Sequence, residues 1–85
     1  MAINKDVVAM DTTLDEFARI SEEIGRISEQ IETYEAKKYV ESMQGIDNQS
    51  LHYHIERLKH YRDNLEIDKA RAETDVRRAF DHYYA

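Results

Sequence analysis

His52, Glu56 and His60 follow one another at four-residue steps, with Asp63 a turn further on. Imidazole and carboxylate groups at i, i+4 on one helix face can share a metal ion, so this is the nearest the chain comes to a metal site. The same spacing also describes an ordinary charged helix face, which is the reading adopted. No histidine has Glu or Asp three residues before it, so the Glu-x-x-His step of di-iron helical bundles is absent. His54 leans toward a core edge, and His82 falls where a helix C-terminus favours positive charge. There is no cysteine, hence no thiolate nucleophile, thiolate metal ligand or disulfide. No glycine-rich phosphate loop, His-Glu-x-x-His or Gly-x-Ser-x-Gly is present either. Arg77 and Arg78 beside Tyr83 and Tyr84 are of a type that grips phosphate or stacks on a base. Asp75 and Asp81 flank them, so a solvated face is expected. The chain is read as non-enzymatic, without a cofactor.

The elements that carry these residues are helical. The sequence contains no proline and only Gly25 and Gly45, so almost nothing punctuates a helix. Phe17, Ile20, Ile24, Ile27, Ile31 and Tyr34 recur at alternating steps of three and four, the a/d seam of a helix packed on another helix. Thr12 or Thr13, followed three residues on by Asp15 or Glu16, resembles a capping box and predicts a first helix over 12–44. Asp15/Arg19, Arg19/Glu23, Glu22/Arg26 and Lys37/Glu41 are expected as i, i+4 pairs on its polar side. Gly45 suits the left-handed residue that closes a helix, with Ile46 placed for the hydrophobic contact that often follows. The polar run Asp47 to Ser50 then starts a second helix, giving a turn over 45–50 and a helix over 50–84.

Leu51, Ile55, Leu58, Tyr61, Leu65, Ala72, Val76, Ala79, Phe80 and Tyr83 hold one face of that second helix, with Arg62 and Lys69 at its edge. So short a connection makes the helices antiparallel neighbours. Folding back from the turn sets Tyr34 near Tyr61, Ile31 near Leu65 and Phe17 near Val76 to Phe80. The expected fold is all-α: an antiparallel, coiled-coil-like hairpin over 12–85, preceded by an N-terminal arm or short helix over 1–11.

A single seam in an 85-residue chain leaves much apolar surface to cover. Ala36, Val40 and Met43 project well round from the Phe17 to Tyr34 stripe, predicting either a bend near residues 35–38 or a second contact face. Val7, Val8 and Met10 in the arm, with Tyr39, Val40, Met43, Tyr53, Ile67 and Tyr84, are the candidate partner-binding residues. Hairpins are accordingly expected to pair into a helical bundle and to bind another protein as an adaptor, small chaperone, inhibitor or assembly component. Small bacterial and phage chains often hold such roles, an expectation from class alone.

The net charge of −6 argues against direct grip on nucleic acid or an anionic membrane. Acidic residues outnumber basic ones two to one over 12–44 and nearly balance them over 45–85, so an acidic first helix would steer the chain to a basic partner. An acidic decoy for a nucleic-acid-binding protein, a small-ligand binder with a pocket between protomers, and a metal-binding bundle are the alternatives. No charge-free run approaches the ~18 apolar residues of a membrane span, and no signal-like apolar core is present at the start. The expected setting is cytoplasmic.

In architecture the chain is similar to the small sporulation-type aspartyl-phosphate phosphatases, two-helix hairpins with Ser-Gln-x-x-Asp on the second helix. Here the corresponding stretch reads Asn48-Gln49-Ser50-Leu51, followed by Ile55, Leu58 and Tyr61. With Ser-Gln-x-x-Asp missing, the resemblance implies the hairpin and not the activity.

Overall fold

A computed structural model describes the backbone of residues 5–84 and the side chains of residues 12–82. Two helices, α1 (Lys5–Met43) and α2 (Gln49–Tyr84), pack side by side, and the molecule is a rod of 67 × 19 × 15 Å. Helix α1 begins before the Thr12/Thr13 box expected to start it. Lys5 to Asp11 contains no glycine or proline to interrupt a helix, and Thr12 and Thr13 are tolerated inside one. The side chains of the expected arm lie outside the described residues.

The turn is built from complementary stops. Gly45 takes φ +76°, a left-handed conformation that suits a residue without Cβ. Its N–H donates to the Ser42 carbonyl (3.0 Å), and the Ile46 N–H donates to the Glu41 carbonyl (2.8 Å). This pair of bonds satisfies the last carbonyls of α1. Asn48 then caps α2, its Oδ1 accepting the Leu51 N–H at 3.0 Å while its carbonyl accepts the His52 N–H at 3.1 Å. Asn48 Nδ2 also donates to the Glu41 carboxylate (3.2 Å), so Glu41 holds both sides of the turn. Ile46 stays half exposed at 50%.

The core lies along the single seam, where Ile24, Ile27, Ile31, Leu51, Ile55 and Ala72 are buried. Phe17, Ile20, Tyr34, Leu58, Leu65, Val76 and Ala79 are partly covered. Tyr61 and Phe80, expected in the seam, are exposed. The pairing also differs from expectation. The Tyr34 ring meets His54 edge-on at 4.8 Å, Glu23 rather than Tyr34 reaches Tyr61, and Phe17 lies under Lys69 with 5.9 Å from Nζ to the ring centre. Phe17 is thus set about one heptad nearer the turn along α2 than Val76 to Phe80. A whole-heptad slide keeps every apolar face inward, so periodicity cannot choose between the two registers; the tight stop at Gly45 and cap at Asn48 choose. Arg62 and Lys69 are partly covered; long aliphatic stems can shield a seam while their charges remain in water.

Candidate functional site

The metal-like trio does not assemble. His52 is partly covered, and its Nδ1 lies 2.9 Å from Lys38 Nζ, while the carboxylate of Glu56 lies 3.9 Å from Lys59 Nζ. His60 is exposed. Among the described residues no group of three or more His, Cys, Asp or Glu side chains could hold a metal ion. On a straight-helix projection the three lie on the side of α2 away from the core. A seam that repeats every seven residues drifts by ~20° per heptad on such a projection, which brings His52 and Glu56 toward α1 at the turn end.

Polar ties follow the seam on both sides. Lys59 Nζ lies 3.0 Å from Glu35, and that bond holds the Lys59 ammonium above its usual range. On the other side Arg26 grips Glu23 through Nε (3.1 Å) and a second guanidinium nitrogen, while the Tyr61 hydroxyl donates to Glu23 at 3.4 Å. The Arg26 bond holds the Glu23 carboxyl below the ordinary carboxylate range. Arg26 thus turns to Glu23 instead of Glu22, and the expected Asp15/Arg19, Arg19/Glu23 and Lys37/Glu41 ion pairs do not form. All these ties lie at the surface, where water screens such pairs and they contribute little to stability.

Along α1 and α2, a groove of about 610 Å³ opens beside Ile20, Leu65 and Ala72, rimmed by Glu16, Arg19 and Asp68. Its mixed charged rim and breadth to solvent give no enclosed chamber for a small ligand.

The candidate partner-binding residues fall outside the seam. Tyr39 is 67% exposed, Met43 73% and Tyr53 67%, and Val40 and Ile67 are also exposed. Helix α1 continues through residues 35–38 as α-helix and leaves Ala36, Val40 and Met43 uncovered. Leu14, Ile46, Tyr61 and Phe80 join the exposed apolar set. Leu14 was missed because it sits off the a/d seam among acidic neighbours. Tyr61 and Phe80 sit one residue off the seam positions, which Arg62 and Ala79 take, and so reach only its rim. The side chains of Val7, Val8, Met10 and Tyr84 lie outside the described residues.

Comparison with protein-family models, curated proteins and solved structures gives no match. No described helix is long and apolar enough to cross a membrane.

Proposed function

We propose that this chain is a non-enzymatic protein–protein interaction module, a helical hairpin that self-associates into a bundle and in that form engages a further protein. The observation that carries this reading is the exposure of Tyr39, Val40, Met43, Tyr53 and Ile67 on helix faces that nothing among the described residues covers. Apolar side chains of this size, recurring along both helices, gain by removal from water. One seam between two helices is also a small core for a free-standing domain. The proposed setting is cytoplasmic, and the proposed role is that of an adaptor, chaperone-like factor, inhibitor or assembly component.

Sedimentation equilibrium with thermal melts at increasing protein concentration tests this reading. The expected result is a mass above one protomer at micromolar concentration and a melting temperature that rises with concentration. A single-protomer mass with a concentration-independent melt overturns it.

A further inference from the structure

The outer faces of the two helices differ in charge. In the seven-residue repeat set by the seam, residues 15, 22, 29, 36 and 43 of α1 point directly away from α2; the row 18, 25, 32 and 39 adjoins them on one flank, away from Arg19 and Arg26 on the other, and completes an acidic stripe. This stripe presents Asp15, Glu22, Glu29 and Glu32 without a basic residue. On α2 the row opposite the seam contains residues 53, 60, 67, 74 and 81, and the adjoining row 50, 57, 64, 71 and 78. That stripe presents Arg57, Arg71 and Arg78 with Asp81 as its acid. Every residue in both stripes is exposed. Within the hairpin none of the four acids or three arginines forms an ion pair.

We propose that copies of this chain associate head to tail, the acidic outer face of α1 in one hairpin packing against the basic outer face of α2 in the next. This inference rests on the self-association reading and names the surfaces it uses. Like-with-like pairing would set Glu22, Glu29 and Glu32 against their own images, or the three arginines against theirs. Surface ion pairs individually contribute little, so the charges select the pairing, while Tyr53, Ile67 and Met43 supply apolar area.

Shape agrees with charge. A second hairpin set alongside at the same level inherits the register that puts Tyr34 by His54 and Glu41 by Asn48. Glu32 then lies level with Arg57, Ala36 with Tyr53, and Ala18 with Arg71, between Asp15 and Glu22. Small residues at 18, 25 and 36 leave room for the longer side chains opposite. Gly25 has no reason within the chain, since a Cβ there would meet nothing within 4 Å. The two faces point away from each other on one hairpin, so the contact is heterologous and either closes into a ring or extends as a filament.

Charge reversal in the full chain tests the pairing, with sedimentation at low salt as the readout and circular dichroism as the check on folding. One variant carries Glu22→Lys, Glu29→Lys and Glu32→Lys; the other carries Arg57→Glu, Arg71→Glu and Arg78→Glu. Each alone is expected to associate on the order of a hundredfold more weakly than the wild type, because the contacts around Arg57 and Arg71 turn repulsive. Mixed in equal amounts they are expected to recover the wild-type mass, since one then presents basic faces at both edges and the other acidic faces. If a reversed chain loses helicity, glutamine at the same three positions replaces it, with weakened association expected. A wild type that associates while either set of changes leaves its mass unaltered overturns the head-to-tail pairing alone. So do folded reversal variants that stay dissociated when mixed. A monomeric wild type overturns the self-association reading and this inference with it.

Discussion

Beside the turn, Leu51 and Ile55 are buried with Ile31 between the helices, whereas at the open end Ala72 is buried, Val76 and Ala79 are partly covered and Phe80 is 50% exposed. Both halves follow the same heptad spacing, so periodicity does not separate them. Side-chain size and chain connection do. Branched aliphatic residues fill the seam near the turn, where the Gly45 stop, the Asn48 cap and Glu41 tie one helix end to the other. Toward the open end α2 offers alanines, Lys69 and Val76 in place of such a tie. Local opening is therefore expected to start at the open end, and hydrogen exchange should show protection declining along both helices away from the turn.

The largest test of this contrast is a pair of truncations. Ile55→Ala should cost about 2–5 kcal/mol, as for a buried large-to-small change, and Val76→Ala should cost about 1 kcal/mol. Urea unfolding of both variants measures the difference. Equal costs would remove the distinction between the halves.

Gly45→Ala probes the clamp itself. A Cβ at φ +76° meets no neighbour within 4 Å, so the penalty is conformational rather than a clash. The expected loss is about 1–2 kcal/mol, the usual cost of a left-handed residue with a side chain. A neutral result in the same urea experiment would mean that the turn does not set the stability of its half.

How far these features were legible depends on what each requires. The Ile24 to Ile31 stripe, the Gly45 stop and the start of α2 were readable because local spacing and φ preference decide them. The level at which Tyr34 meets α2 was not, since sliding by a heptad exchanges His54 for Tyr61 without turning any apolar residue outward. The start of α1 escaped for a different reason: a capping box permits a helix to begin without obliging it to, and the preceding residues are themselves compatible with helix. Exposure of Tyr39, Val40 and Met43 was legible from their angle to the seam. The proposed self-association would cover them with a surface outside one copy of the chain.

On the α1 side of the seam, Ser21 sharpens the contrast from the less tightly packed half. Its Oγ is buried and has no hydrogen-bond partner, while the residue itself is only partly covered. Ser21→Ala removes an unsatisfied hydroxyl and raises helix propensity together, so the chain should gain about 1 kcal/mol. Destabilisation on urea unfolding would show that the hydroxyl is satisfied in solution and that this part of the seam packs more closely than described.

The smallest expected effect is electrostatic. Glu23 is tied to Arg26 and Tyr61, and its carboxyl is held below the ordinary range chiefly by the Arg26 bond. A carboxyl whose folded value is depressed contributes stability that is present above its unfolded value and lost as pH falls through the folded one. Acidification through the carboxylate range should therefore loosen the Glu23 tie, leaving the packing of Ile55 unchanged. Glu23→Gln should lower stability slightly at neutral pH and make it fall less steeply toward acid. The comparison is read as urea midpoints at pH 7 and pH 3 for both chains, with the wild type losing more. An equal loss in the two would assign the acid sensitivity to other carboxylates and leave the Arg26 and Tyr61 contacts without measurable weight.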